Sequence, residues 1–516
     1  MRNSAACIRF IATLAALAPS FTSAADADSF HVALETIRTE ELRNHVQVLA
    51  SDTFEGREAG SAGGRAAGAY VVAQLRKLPL QPGGEDGDFY QYFGEDFRNI
   101  LAILPGSDRR LKDEFIVVMG HYDHVGYGNA RNSRGPVGLI HNGADDNASG
   151  VSGLLEIAQA ITGVEPAPRR SILFAFWDAE ERGLLGSEHW TKNPTIPLNK
   201  IRLVINVDMI GRLRTQSLEM YGIRTAAGLR KLVSESNDEN GPELDFNWQT
   251  KRDSDHYPFY AQKIPFVMPY TRKHDDYHRP SDDPDKIDYE GMRLVTRLLF
   301  RTAHLAADED KFPGFRDAAL VEGPDQAKLL DAPAAPWPSR LGVVWSDELA
   351  KQNIVKLTQV EPGSPAEAAG LRIGDRIVEV ERQPVESADS FRALVLAASS
   401  PAEITVSREG EPGKRRLRVQ LVGEPLKFGL SWRTDDGEPG TVILNRIAVG
   451  SPAYQAGLRI GDRIYAIGGR PFASETEFRQ ALADSKGPVK VVTERRGRIR
   501  SLEIRPVATP AKPAPQ

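Results

Sequence analysis

The sequence predicts an α/β domain with a mostly parallel central sheet and helices on both faces, followed by two small β-rich domains. Three observations carry this reading. Near-continuous apolar runs alternate with helix-like segments from about residue 30 to 308: Phe115–Gly120, Ser171–Trp177, Ile201–Val207 and Lys263–Met268. Runs apolar along their whole length suit strands buried on both faces, as parallel strands covered by helices are. The composition then breaks at Ala332-Pro-Ala-Ala-Pro-Trp-Pro338. Pro333, Pro336 and Pro338 leave neither helix nor central strand there, because proline lacks the donor N–H and fixes φ. Finally, Gly363-Ser-Pro-Ala-Glu-Ala-Ala-Gly-Leu-Arg-Ile-Gly-Asp-Arg-Ile377 recurs at 450–464 with 13 of 15 residues identical. The same offset of 87 relates Gly342 to Gly429 and Phe391 to Phe478, so two whole copies of one domain are expected.

The elements follow in order. Residues 1–25 read as a signal peptide. Arg2 and Arg9 precede an apolar run, Phe10–Ala18, and small residues at Thr22-Ser-Ala-Ala25 offer a cleavage site. The expected location is therefore outside the cytoplasm, periplasmic or secreted. The lone cysteine, Cys7, falls in this leader, so the processed chain has no thiol for a disulfide, nucleophile or metal. The main domain is placed at 30–308, a linker at 309–337, the two copies at 338–422 and 426–508, and a Pro-rich tail at 509–516. Net charge is -5 over 516 residues, which gives no electrostatic basis for nucleic acid or an anionic membrane. No stretch after the leader is apolar enough to span a membrane.

The apolar runs of the main domain each end in polar, metal-capable residues. Phe115–Gly120 leads to His121-Tyr-Asp123-His124, Ser171–Trp177 to Asp178-Ala-Glu180-Glu181, and Ile201–Val207 to Asp208. The fourth run leads to a loop with His274, Tyr277 and His278, and a Gly-rich loop, Asn142–Gly150, carries Asp145 and Asp146 ahead of a helix. Singly these are weak signals. Open α/β sheets, however, bind ligands at the carboxyl ends of their strands, and five such segments in one domain point to a metal site.

Residues 30–308 resemble the M28 zinc aminopeptidases. The shared motifs, in order, are Gly-His-x-Asp-His, Gly-Ala-Asp-Asp-Asn-Ala-Ser-Gly, Glu-Glu-x-Gly-Leu-x-Gly-Ser, Asn-x-Asp-Met and Tyr-His-x-Pro-x-Asp; Glu55–Gly60 also matches the family's N-terminal segment. The resemblance implies two Zn(2+) per chain: His121 and Asp208 on one, Glu181 and His278 on the other, Asp146 bridging. It implies that Asp123 orients His121, that Asp146–Asn147 is a cis peptide, and that Glu180 is the general base for a water on the zinc. Tyr277 would donate to the oxyanion. Substrates would be peptides with a free N-terminus, their α-ammonium facing Glu180 and Asp208. Trp190, Phe259 and Tyr260 are candidate pocket walls, although core packing suits each better.

Each repeat resembles a PDZ domain of the protease-associated kind, through Gly-Ser-Pro-Ala…Ala-Gly-Leu-Arg-Ile-Gly-Asp-Arg-Ile and an upstream Leu341-Gly-Val343 or Phe428-Gly-Leu430 loop. Helix-like segments at 387–397 and 474–484 would wall a groove for C-terminal peptide tails or partners. The competing readings are a single-zinc glutaminyl cyclase, a carboxypeptidase or dipeptidase on the same metal plan, and a non-catalytic PDZ scaffold.

Overall fold

A computed structural model describes residues 24–214 and 217–506. The expected leader, with Cys7, and the tail at 509–516 lie outside the described residues, except that the first helix begins at Ala24. The chain divides into two compact units, one running through Ala327 and including Arg496–Ile499, the other made of Lys328–Arg495 and the residues from Arg500.

The first unit holds strands β1 (Gln81–Pro82), β2 (Tyr90–Phe93), β3 (Phe97–Leu104), β4 (Phe115–His121), β5 (Ser171–Trp177), β6 (Ile201–Asn206), β7 (Ser217–Tyr221), β8 (Glu243–Phe246) and β9 (Phe266–Tyr270). Its helices are α1 (Ala24–Thr36), α2 (Thr39–Leu49), α3 (Ala62–Leu75), α4 (Gly150–Ile161), α5 (Leu185–Lys192), α6 (Leu229–Ser236), α7 (His256–Ala261) and α8 (Tyr289–Asp308). The nine strands form one mixed sheet in the order β1-β3-β5-β4-β6-β9-β7-β8, with β2 beside β3. Its centre, β5-β4-β6-β9, is parallel; β3 and β7 flank that centre antiparallel to β5 and β9. Every residue of β5 is buried, which explains its unbroken apolar sequence.

Helices α4 and α8 cover one face of β4, while α5 and α7 lie against β3, β6 and β9 on the other. Val117, Met119, Leu173, Ala175 and Trp177 pack under α5 and α7 with Trp190 and Phe259. Trp190 and Phe259 are thus core residues at 0% exposure and not pocket walls. Tyr260 donates its hydroxyl to Ala319 O. The parallel register aligns His121 with Trp177 and Met119 with Asn206. The polar residues after β4, β5 and β6 therefore emerge side by side on one edge.

The segment 309–337 carries more structure than its composition suggests. A short 3-10 helix spans Asp317–Leu320, and an α-helix, Pro324–Asp331, starts on a proline that needs no donor there. Glu322 bonds Arg224 and Arg316 at 2.8 and 2.9 Å, tying the segment's first half into the first unit. Among the described residues, no helix is long and apolar enough to cross a membrane.

The second unit contains two six-stranded sheets, antiparallel throughout. Each buries its own apolar cluster, around Leu341, Ile404 and Phe391 in the first copy and Phe428, Val491 and Phe478 in the second. The repeated Gly-Ser-Pro-Ala motif has a local cause. Ser364 and Ser451 cap helices Pro365–Ala368 and Pro452–Gln455, with proline at the first turn. Gly342 and Gly429 have φ of 77° and 66°, and a Cβ on either would come within 2.4 or 2.2 Å of the capping serine's Cβ. The helices expected at 387–397 and 474–484 are present as Ala388–Ala397 and Glu475–Asp484.

Candidate metal centre

Asp146 lies at the middle of the polar edge. One carboxylate oxygen is 3.3 Å from His121 Nε2 and the other 3.1 Å from His278 Nε2. His121 Nε2 is 3.5 Å from Asp208 Oδ1, and His278 Nε2 is 3.2 Å from Glu181 Oε2. The five residues thus form two groups that share Asp146. Ligand atoms about 2.0–2.2 Å from a zinc ion lie roughly 3.3 Å from one another when arranged tetrahedrally, the spacing seen here. His278 Nε2 and Asp208 Oδ1 are buried without hydrogen-bond partners. Buried polar atoms left unpaired are costly, and a cation between these groups would satisfy both. The donor set of imidazole nitrogen and carboxylate oxygen suits zinc.

The supporting bonds explain how this sequence holds Asp146 in place. Its amide and that of Asp145 donate to Asp282 Oδ2 at 3.1 and 2.9 Å, while Arg212 grips Asp282 Oδ1 at 2.9 Å. Asp145 Oδ1 accepts from Gly211 N at 2.6 Å. Asn147 Nδ2 donates to Val207 O at 3.0 Å and its Oδ1 accepts from Met209 N at 3.2 Å, joining the bridging loop to the Asp208 loop. The Asp146–Asn147 peptide is cis. Arg57, 1% exposed, donates to Tyr122 O, Asn142 O and Gly143 O at 3.1, 2.7 and 2.9 Å. The Glu55–Gly60 stretch thereby fastens the His121 loop to the Asp146 loop.

Asp123, expected to orient His121, faces that ring and also supports the neighbouring turn. Its carboxylate faces His121 Nδ1 at 3.7 Å. It also accepts from the amides of Glu180 and Glu181 at 3.0 and 3.3 Å, and so shapes the turn that presents them. His121 Nδ1 faces the backbone oxygen of Asp123 at 3.3 Å. His124, to which the sequence assigns no role, stands with Asp146 and Glu181 in a metal-capable cluster, its Nδ1 2.9 Å from Glu181 Oε1. The second histidine of Gly-His-x-Asp-His was the available signal. His274 is a near neighbour of Asp145, at 3.1 Å, and belongs to the supporting network.

A cavity of about 570 Å³ opens beside His121, Asp146 and Asp208, with Glu180 and Tyr277 on its wall. Tyr277 stacks on His278 at 3.9 Å, and Arg134 and Lys273 lie over its ring. Burial, then Asp146, Glu181 and Glu180, push the Tyr277 phenol well up, so it keeps its proton. Burial likewise pushes Glu180 well above the usual carboxylate range, with Glu181, Asp255 and Asp208 reinforcing it and His121 opposing. Burial resists charge on His121 and His278, but the carboxylates around them prevail: His121 is held well above its ordinary value and His278 at about 10. The far wall includes Glu219, Tyr221, Met268 and Tyr270, paired across β7 and β9. No motif marks these four, since they are set by strand alternation and register.

Residues 99–303 match Peptidase family M28, and residues 356–408 and 443–495 each match the PDZ domain family. The chain is 28% identical over 226 residues to aminopeptidase YwaD of Bacillus subtilis, covering 42% of this chain and 46% of that protein. It is 30% identical over 155 residues to a putative zinc metalloprotease of Neisseria meningitidis, covering 28% and 34%. Among solved structures, the LapA aminopeptidase of Legionella pneumophila aligns with 55% of this chain and 76% of its own, at 20% identity and a TM-score of 0.45. The chain spans less than half the length of these two curated relatives.

Proposed function

We propose, for a chain that joins a family M28 peptidase domain to two PDZ domains, that it is an exported aminopeptidase working on peptides with a free N-terminus. The observation that carries this reading is Asp146, which turns one oxygen to His121 and the other to His278. His121, Asp146 and Asp208 would hold one zinc ion, and Asp146, Glu181 and His278 the second. Bound zinc supplies Lewis acidity for the scissile carbonyl and lets water attack near neutral pH.

The chain's own residues do the rest. Glu180 lines the cavity without being one of the five assigned ligands, so its carboxylate is free to take the proton of the attacking water and deliver it to the leaving amine. The Tyr277 hydroxyl donates to the oxygen that gains charge at the tetrahedral stage. Asp208 and Glu180, with Asp253 at the rim, form an anionic border for the substrate's α-ammonium. An N-acylated substrate lacks that cation, so the arrangement favours exopeptidase action. Hydrolysis of an aminoacyl-anilide should exceed that of its N-acetyl form by about 100-fold or more. Equal rates on both, or cleavage confined to the C-terminal residue, would overturn the aminopeptidase reading.

The PDZ grooves are read as binding peptide tails, which raises the local concentration of chain ends near the catalytic domain. Removing residues 338–508 should raise KM for long peptides and leave it unchanged for dipeptide substrates. The same change in both classes would assign these domains a structural role.

A further inference from the structure

The second unit contains an apolar cavity of about 600 Å³ that neither copy builds alone. The first copy contributes its groove: Val343 and Trp345 from the edge strand Val343–Trp345, and Phe391 and Val395 from the helix Ala388–Ala397. Trp345 packs edge-on against Phe391 at 5.2 Å. The proline-rich strap supplies Pro336 and Trp337, and the second copy supplies Arg446, Ile447 and Val449. The strap is fixed to the second copy, because Ala334 N donates to Asn445 O at 2.8 Å and Arg446 lies 4.5 Å over the Trp337 ring. The second copy also closes on the groove helix of the first. At Gly450, a Cβ would come within 2.9 Å of Asp389 O and 3.1 Å of Arg392 Cβ.

The charge on this cavity is one-sided. Three arginines line it, Arg340, Arg392 and Arg446, and no acid does. Two are already engaged. Arg340 donates to the carbonyls of Val395, Leu396 and Ala398, closing the end of the groove helix, and Arg392 pairs with Asp389 at 2.9 Å. Among the described residues, no carboxylate pairs with Arg446, and its Nε is buried without a hydrogen-bond partner. A guanidinium that rests on an aromatic ring with no carboxylate beside it favours an anionic occupant.

The duplication marks the same wall. At the offset of 87, Arg446-Ile-Ala-Val449 corresponds to Gln359-Val-Glu-Pro362. The segment that follows is nearly identical in the two copies, whereas this one has lost an acid and gained an arginine and an exposed valine.

We propose that the groove of the first copy is completed by the strap and the second copy into one site for a peptide end with apolar side chains and a free carboxylate. The proposal rests on the reading of the PDZ domains as peptide binders, and goes beyond it in assigning Arg446 and Val449, outside the groove, to recognition. Fluorescence anisotropy tests it on the full chain, with a hexapeptide labelled at its N-terminus and ending in three apolar residues, as free acid and as C-terminal amide. The free acid should bind, and the amide about fivefold or more weaker. Arg446→Gln and Val449→Asp should each weaken binding by about fivefold or more, and Trp345→Ala should abolish it; Trp432→Ala, at the second copy's counterpart of Trp345 packed on Phe478 at 4.9 Å, should leave it unchanged. Circular dichroism of each variant establishes that it is folded. If Trp345→Ala abolishes binding while Arg446→Gln and Val449→Asp are neutral, the first groove acts alone and the composite site is refuted, with peptide binding intact. Loss on Trp432→Ala moves the site to the second copy, and equal binding of the amide rejects the carboxylate. No binding by the unaltered protein defeats both the proposal and the reading beneath it.

Discussion

Among single residues, Glu180, His121 and His278 make the sharpest claims. Glu180 reaches the cavity beside the ligands yet is outside the set that meets at Asp146. Glu180→Gln should therefore cut kcat by about 100-fold or more with zinc content unchanged; activity within a fewfold of normal would remove it from the proton path. The metal-free centre makes a separate prediction. Surrounding carboxylates raise His121 and hold His278 at about 10, so both imidazoles carry protons at neutral pH without metal. Metal ligation needs neutral imidazole. Zinc binding near pH 7.5 should then release protons to the buffer, and affinity should rise with pH. Calorimetry in buffers of different ionisation enthalpy reads this release directly; a buffer-independent heat would contradict it.

At the scale of elements, the segments between strands decide how the centre is held. The Glu55–Gly60 stretch inserts Arg57 between the two ligand loops, with four backbone carbonyls as partners, the fourth being Leu49 O at 2.7 Å. Arg57→Met takes the buried guanidinium away from these carbonyls, although Gly143 O still accepts from Ala148 N at 3.2 Å. Its expected cost is about 3–5 kcal/mol in chemical denaturation of the first unit, together with weaker zinc binding. The 309–327 segment depends on Glu322. Burial alone would raise this carboxyl, but the bonds from Arg224 and Arg316 bring it down to about 2. A depressed carboxylate stabilises the fold above its unfolded pKa of about 4.3, and the contribution disappears as pH falls through the folded value. Glu322→Gln should accordingly cost on the order of 1 kcal/mol at pH 7 after solvent screening, and the difference should shrink between about pH 4.5 and 2.

Across the whole molecule, the chain's organisation was legible because long-range order left local traces. The buried parallel strands β4, β5 and β6 are apolar throughout, and the duplicated domains share a fixed offset. His121, Asp146, Glu181, Asp208 and His278 could be picked out because strand ends bring ligands together and their motifs match a known family. What the sequence hid depends on three-dimensional register. The Asp123 carboxylate turned to the amides of Glu180 and Glu181 because the His121 loop lies beside that turn, which spacing along the chain does not encode. The flanks of the sheet run antiparallel, and Glu219, Tyr221, Met268 and Tyr270 reach the cavity only through that pairing. The strap looked like a spacer because prolines carry no sign of what they pack against, yet Ala334 and Trp337 fasten it to the second copy.

The central claim is a two-zinc aminopeptidase centre bridged by Asp146, and stoichiometry tests it most directly. Metal-free protein titrated with zinc, with aminoacyl-anilide hydrolysis followed at each step, should reach full activity at about two equivalents per chain. Saturation at one equivalent, with cyclisation of N-terminal glutamine in place of hydrolysis, would contradict it.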